Sequence, residues 1–380
     1  MITMSNDDLN AQTREKALKI LDLTSGNICP RCLGRNFSGD MEASDNLVRG
    51  EYILKHLSHE SCDCIADVKC FICDNLFGNI DNNLTQFISS KLDDSNIEFK
   101  TFLVGSRVDK DIIRREQEIQ EKIDVNVENI KKEINREIGK ALSMKMGKEV
   151  DFETPHLVIL VDFTKKGDEP GLEFQINPLF IEGRYRKLVR GIPQTKWPCR
   201  ECKGKGCERC NFTGKMYQES VEELISPEFL RESQGSETKF HGAGREDIDV
   251  KMLGTGRPFV LEIKEPLRRS LDLKGLEDKV NQSAEGKVGI SGLKFTGKER
   301  RKQIKTSSTD TYKVYRALVK VEKDVTPEDM GLIKSLKLIE QRTPQRVVHR
   351  RADIIRKREV RNIEVKKLDD GCLELVIECQ

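Results

Sequence analysis

KFHGAGREDIDVKMLGTGRPFVLEI, residues 239–263, is the stretch on which the reading of this chain turns. Its first element, Gly244-Arg245-Glu246-Asp247, sets a cation and a carboxylate two residues apart after a glycine. Alone, so short a motif is usually a turn whose Arg and Asp pair locally. The second element, Gly254-Thr255-Gly256-Arg257-Pro258, is glycine-rich but has no Gly-Lys-Ser/Thr, which excludes a Walker-type phosphate cradle. Apolar and β-branched residues predict strands at 247–252 and 258–263. In such a strand Asp247 and Asp249 face the same side, so spacing alone does not separate them.

Outward from this stretch the pattern is mixed. Strands are predicted at 287–295, 311–322 and 361–379, and helices at 272–282 and 326–335. Ser220-x-x-Glu223 is a capping box that opens a helix at 221–232. Residues 217–380 therefore read as an α+β domain around a mixed or antiparallel sheet. Ahead of it lies a Gly/Cys-rich linker, 196–216, KWPCRECKGKGCERCNFTGKM. The N-terminal half predicts helices at 14–23, 48–58 and 83–93 and a strand at 97–105. Apolar residues then recur at helical spacing over 108–146, followed by a buried strand at 157–161 and another at 172–181. That order gives a small α/β domain over 76–195, behind a region 1–75 that carries paired cysteines. At 380 residues, two or three domains are expected.

Twelve cysteines are many for a chain of this kind. Eight form C-x-x-C pairs: Cys29/Cys32, Cys70/Cys73, Cys199/Cys202 and Cys207/Cys210. One tight turn of this spacing brings two thiolates to one tetrahedral zinc, and two turns close a structural four-thiolate site. Cys62 and Cys64 compete as ligands for the first quartet. The half-motif C-x-x-C-x-G-x-G resembles the zinc finger of J-domain chaperones, but there is one compact copy and no His-Pro-Asp tripeptide, so a zinc knuckle is read and chaperone activity is not. Free, unliganded thiols are the alternative for the first quartet; redox use is the alternative for Cys199/Cys202 and Cys207/Cys210, disfavoured because both pairs sit in glycine-rich turns rather than in a βαβ unit.

Net charge is only +2, with 37% hydrophobic and 34% charged residues. The cations are unevenly placed. Arg342–Arg361 holds eight Lys or Arg against two acids; Lys298, Arg300, Arg301, Lys302 and Lys305 form a second run, and Arg184, Arg186, Lys187 and Arg190 a third. One run is ordinarily a solvated face; three point to a polyanionic partner. No apolar run approaches a membrane span and the N-terminus has no apolar signal core, so a cytoplasmic protein is expected.

Residues 239–263 strongly resemble the catalytic core of the archaeal and eukaryotic tRNA pseudouridine synthases that modify T-loop positions 54 and 55. Lys313-x-Tyr315-x-Ala317-Leu318 looks like that family's tyrosine motif. Gln341-x-Thr343-Pro344-x-Arg346-Val347-x-His349-Arg350-Arg351 looks like its basic motif. Arg184-Tyr185-Arg186-Lys187-x5-Pro193-Gln194-Thr195-x-Trp197 resembles the junction before the catalytic half, and the N-terminal half resembles the THUMP-containing RNA-binding region.

The resemblance implies an isomerase that turns uridine into pseudouridine in tRNA. Asp247 becomes the nucleophile, Arg245 its orienting cation, and Tyr315 the ring that stacks on uracil. Arg346, His349, Arg350 and Arg351 become an RNA-facing strip. The chemistry is redox-neutral and needs no organic cofactor; zinc is structural, and neither a membrane nor an obligatory protein partner is implied. Tyr185 and Trp197 are read equally as base-stacking or packing residues. In the family, the strand ending at Gln380 continues into a Gly-Thr-Tyr-Ile-Lys segment and a Gly-Arg-Thr turn that add a tyrosine and a basic residue to the site. The C-terminal end of the fold is accordingly read as missing, and a zinc-stabilised tRNA-binding protein with little or no activity is the alternative reading.

Overall fold

The structure is a computed structural model that describes residues 9–57, 69–80, 82–125, 127–165, 169–306, 312–343, 345, 352–368 and 371–379. The chain divides into two compact units. The first takes in Met1–Leu179, Phe229–Thr238 and Ile263–Asp272; the second takes in Phe180–Glu228, Lys239–Glu262 and Leu273–Gln380.

In the first unit, α1 spans Ala11–Leu23, α2 Pro30–Arg35 and α3 Asn46–Leu57. Proline at the first turn and an acceptor just before it start α2: the Cys29 sulfur accepts from the Cys32 N–H at 3.5 Å. Helices α2 and α3 meet backbone to backbone. A Cβ on Gly50 would lie 1.8 Å from the Pro30 oxygen, and one on Gly34 would lie 2.0 Å from the Asn46 oxygen, so only glycine fits at either place. Then come α4 (Asn82–Ser95), β1 (Thr101–Arg107), α5 (Lys110–Lys122), α6 (Ile130–Met146), β2 (Glu149–Val150), β3 (Leu157–Asp162) and β4 (Gly171–Ile176). The sheet order is β2-β1-β3-β4, with β1 parallel to β2 and β3, and β4 antiparallel to β3. One apolar core runs from Ile20 and Ile53 through Phe102 and Ile134 to Ile159.

The helical stretch expected over 108–146 is two helices. Asp124 takes a left-handed conformation (φ 55) and Asn129 caps α6 through the Lys132 N–H at 3.0 Å, so the apolar period continues while the backbone breaks. The strand expected at 172–181 is also two, β4 and β5, separated at Asn177-Pro178.

Residues 263–272 are tied into the first unit by Glu98. Its carboxylate accepts the Arg269 N–H at 2.6 Å, the Ser270 N–H at 3.0 Å and the Ser270 hydroxyl, and its own N–H donates to the Leu267 oxygen at 2.8 Å. Burial alone would raise the Glu98 pKa, but these bonds win and hold it below its ordinary 4.5. A depressed carboxylate stabilises the fold above its ordinary value, and the contribution is lost as pH falls through the folded value. Acidification is therefore expected to lower the protection of the Arg269 and Ser270 amides, measured relative to intrinsic exchange, before the β1–β3 ladder loosens, and Glu98→Gln should show that low protection already at neutral pH.

The second unit begins with β5, Leu179–Lys187. Its other elements are α7 (Val221–Ser233), β6 (Glu237–Gly242), β7 (Met252–Lys264), α8 (Leu273–Ser283), β8 (Val288–Thr296), α9 (Arg300–Thr306), β9 (Lys313–Lys320), α10 (Pro327–Ser335), β10 (Leu338–Arg342), β11 (Ile355–Lys367) and β12 (Cys372–Cys379). Parts of α7, β6 and β7 fall in the first unit. Two four-stranded sheets result, ordered β6-β7-β5-β8 and β10-β11-β12-β9. Ser220 caps α7: its hydroxyl accepts the Glu223 N–H at 3.3 Å and donates to the Glu223 carboxylate at 2.8 Å.

The strand expected at 247–252 is not one. Residues 245–250 form a turn-bearing loop, and β7 starts at Met252 and includes the Gly254–Pro258 segment that looked like a loop. Gly254 and Gly256 have positive φ, and a Cβ on Gly256 would lie 2.5 Å from the Tyr185 oxygen, so Gly256 lets β7 lie close along β5. The 361–379 stretch is the hairpin β11–β12. Strands β6 and β10 and helix α9 were not anticipated.

Candidate active site and metal centres

Alternation along β5 decides which of its residues turn inward. Arg184 and Arg186 are exposed, whereas Tyr185 and Lys187 are fully buried. Lys187 thus does not belong to the phosphate-facing run in which its sequence places it. Its ammonium donates to three backbone oxygens, of Asp247 at 2.7 Å, Ile248 at 3.1 Å and Ile192 at 3.1 Å. Burial lowers its pKa, while Glu246, Asp247 and Asp249 pull the other way. Tyr185 is a packing residue, not a base-stacking one: its ring meets Phe240 and Phe259 edge-on, and its hydroxyl donates to Glu246 Oε2 at 2.6 Å.

The loop between β6 and β7 is therefore held from beneath. The Gln194 amide donates to the Gly244 oxygen at 3.0 Å and to Glu246 Oε2 at 3.2 Å, and Arg257 donates to the Ala243 oxygen at 2.8 Å. Above this floor, Arg245 and Asp247 are exposed on either side of Glu246, whose side chain is 3% exposed. The Arg245 guanidinium lies over the Trp197 ring, 5.1 Å from its centroid. Trp197 is buried and packs edge-on against Tyr217, so it too is a packing residue. Asp247 Oδ1 accepts the Asp249 N–H at 3.0 Å. This closes a turn and separates the two aspartates, which do not share a strand face. Asp247 lines neither of two cavities found elsewhere, one beside Val321–Val325 and one beside Asn96–Phe99.

Tyr315 lies on β9, at one edge of its sheet, paired with Ile377 and 43% exposed. Burial pushes its phenol up and Cys379 adds to this, while the charges of Arg257 and Arg358 pull it down. Arg257 also stands 3.5 Å from Glu246, so the aspartate loop and the tyrosine strand share one cationic neighbour. Arg346, His349, Arg350 and Arg351 lie outside the described residues.

Two basic runs are partly neutralised. Arg300 and Lys294 both bind Glu182, the latter at 2.6 Å, and Arg301 binds Glu262 at 2.9 Å beside His241. Arg342 pairs with Asp353 at 2.6 Å and Lys357 with Glu340 at 3.2 Å. Much of the positive charge counted in sequence is spent inside the fold or across strands.

Each predicted cysteine quartet comes together. Within each, the four sulfurs lie within 4.8 Å of one another. Zinc–sulfur bonds of about 2.3 Å in a tetrahedron place sulfurs about 3.8 Å apart. The Cys29–Cys73 separation is 3.7 Å, Cys199–Cys207 3.9 Å and Cys202–Cys210 3.8 Å. Cys62 and Cys64 lie outside the described residues. In the first quartet the neighbouring thiols drive Cys70 far down and Cys29 and Cys73 up, and burial pushes Cys32 up. Four crowded sulfurs ionise together only with a cation among them. Arg35 backs this quartet, fully buried, bonding Cys32 Sγ at 3.4 Å, Glu116 at 2.8 Å and Glu133 at 2.7 Å. In the second quartet, backbone N–H groups point at the sulfurs: Gly206 to Cys202 at 3.1 Å, Cys207 to Cys210 at 3.2 Å and Gly214 to Cys210 at 3.2 Å. Burial works against the Cys210 thiolate, yet the Cys207 and Gly214 N–H groups bring its thiol down to about 6. Both quartets can hold a tetrahedral, thiophilic metal.

Glu246, Gln194, Arg257 and Lys187 were not named as site residues from sequence. For Lys187 the signal was available, since residues two apart on a strand share a face. For Glu246 the only signal was an acid at the open position of G-R-x-D.

Residues 180–380 match the family model described as Pus10, C-terminal, and residues 88–162 match the one described as Pus10 THUMP domain, archaeal. A curated relative from Methanothermobacter marburgensis, named tRNA pseudouridine synthase Pus10, is 50% identical over 97% of this chain and 89% of its own length. Relatives of the same name from Methanosphaera stadtmanae and Pyrococcus furiosus are 44% and 40% identical, over 93% and 95% of this chain and 86% of each relative. Among the described residues no helix is long and apolar enough to cross a membrane. A family model over more than half of the chain, and relatives this similar along nearly all of it, place the chain in the Pus10 family.

Proposed function

We propose that this chain is a tRNA pseudouridine synthase that isomerises uridine at T-loop positions 54 and 55, with Asp247 as nucleophile. The strongest support is the exposed Asp247 on a loop fastened from beneath by Lys187 and Gln194. The N1–C1′ bond breaks as the Asp247 carboxylate takes C1′, leaving uracil with the bonding pair. The ring turns, C5 attacks C1′ and the carboxylate leaves; the C5 proton is then lost and N1 gains one, so no atom is gained or lost overall. The target must leave the stack, which favours loop uridines, and RNA covers the exposed carboxylate. Arg245 orients the carboxylate, and Tyr315 stacks on the uracil. Arg346, His349, Arg350 and Arg351 contact the RNA backbone. No organic cofactor takes part.

Each quartet holds one structural zinc, Cys29/Cys32/Cys70/Cys73 fixing the N-terminal region 1–75 and Cys199/Cys202/Cys207/Cys210 fixing the knuckle 196–216. The RNA-docking domain is 76–195 and the catalytic domain 217–380. The test is pseudouridine mapping on unmodified tRNA transcripts. Product at 54 and 55 is expected. Product only elsewhere overturns the assigned positions, and tight tRNA binding with no product overturns the enzymatic reading.

A further inference from the structure

Glu246 is a buried acid with three polar neighbours on one carboxylate oxygen, the Tyr185 hydroxyl at 2.6 Å, Gln194 at 3.2 Å and Arg257 at 3.5 Å, and Gln194 also donates to Tyr185 at 2.7 Å. Its other oxygen, Oε1, is buried without a hydrogen-bond partner. Burying a carboxylate is costly, and an apolar side chain of similar volume would often stabilise a fold more. What the acid gives is register. Because Glu246 is fastened inward, the residues on either side of it, Arg245 and Asp247, are presented outward. Three further cords reach the same loop: Lys187 to the Asp247 oxygen, Gln194 to the Gly244 oxygen and Arg257 to the Ala243 oxygen. They bond backbone, which any residue supplies; the Glu246 side chain, bonded to Tyr185 and Gln194, distinguishes one register from the next.

We propose that Glu246 is the positioning residue of the reaction, its buried carboxylate fixing the loop so that Asp247 and Arg245 stand together on the substrate side. This rests on the function proposed above, with Asp247 as the group that touches substrate. Misplacing a reacting group by about 1 Å costs about 10²-fold in rate. The effect belongs in turnover rather than in tRNA affinity, because Glu246 lies beneath the surface that RNA touches.

The chain has a single tryptophan, Trp197, and Arg245 lies over it, so its fluorescence reports the loop's position without RNA. Arg245→Ala gives the reference signal for a ring that has lost its cation. Glu246→Ala is expected to lower kcat about 10²-fold, to leave KM for tRNA little changed, and to shift Trp197 emission as Arg245→Ala does. Glu246→Gln, which keeps acceptors for Tyr185 and Gln194, should restore most of the rate and the native emission. Native kcat in Glu246→Ala overturns the proposal, as does a lost rate with native emission. Should Glu246→Ala fail to unfold cooperatively, Tyr185→Phe takes its place: it must lower kcat and shift the emission in the same direction, and native values for both overturn the proposal. If the native protein makes no pseudouridine, or Asp247→Ala keeps its rate, the proposed function fails instead, and emission alone then decides whether Glu246 anchors the loop.

Discussion

Asp247→Ala is expected to abolish pseudouridine formation, lowering the single-turnover rate by at least about 10⁴-fold, since losing a nucleophile removes most of an active site's advantage. Folding should be almost untouched. Lys187 and Gln194 grip the loop through backbone oxygens, which survive the substitution. The bond from the Asp249 N–H to the Asp247 carboxylate is lost, worth about 1 kcal/mol at an exposed turn. Asp247→Asn separates charge from shape, because its amide oxygen still closes that turn. It should be as inactive as the alanine variant while unfolding at the native temperature. Asp249→Ala should remain active. Mapping product in all three, beside their thermal unfolding, checks the assignment; an active Asp247→Asn or an inactive Asp249→Ala would move the nucleophile elsewhere.

Cys32→Ser should be the most destabilising change in the first unit. Cys32 is fully buried, sits one bond from buried Arg35, and Arg35 is held by Glu116 and Glu133. Losing the metal leaves that charge set unbalanced and frees the short helix α2, too short to persist alone. Structural zinc contributes about 10–16 kcal/mol in isolated finger peptides; a unit with its own core should lose only several kcal/mol. Strong chelation should reproduce the effect, and hydrogen exchange should localise it to α1–α3. Cys202→Ser is a control of another kind. It should leave α1–α3 protected and instead disturb Trp197, whose backbone oxygen accepts the Met216 N–H at 2.9 Å across the base of the knuckle. Metal analysis finding no zinc in the purified protein would remove both quartets from this account.

How much of this was visible in the chain depends on the kind of signal. The second cysteine quartet was fully legible, because C-x-x-C encodes its own turn geometry and two adjacent pairs leave little choice of partner; the first was legible as two pairs, with Cys62 and Cys64 left as competitors. Arg245 and Asp247 were legible as a motif, whereas Glu246 between them was not, since a motif discards its variable position. The mistaken strand at 247–252 has a specific cause: Ile248 and Val250 alternate with acids as in a strand, but the Asp247 carboxylate takes the Asp249 N–H and turns the backbone first. Lys187 and Arg300 were counted with their neighbours as surface cations, because charge counting does not ask which face of an element a residue occupies. β10 ends where the run scored for charge begins, at Arg342, and was not read; its register against β11, Leu338 opposite Glu359, is set by long-range pairing that local composition does not carry.

The first unit is assembled from three separate lengths of chain, the last of them ending at Asp272. A ribosome releases residues in order, so the Glu98 carboxylate waits, made but unanswered, until Arg269 and Ser270 emerge roughly 170 residues later. A gene fragment cut anywhere between Leu179 and Asp272 would therefore encode an N-terminal piece lacking part of its own fabric, and the smallest fragment able to finish that unit must carry much of the other one with it.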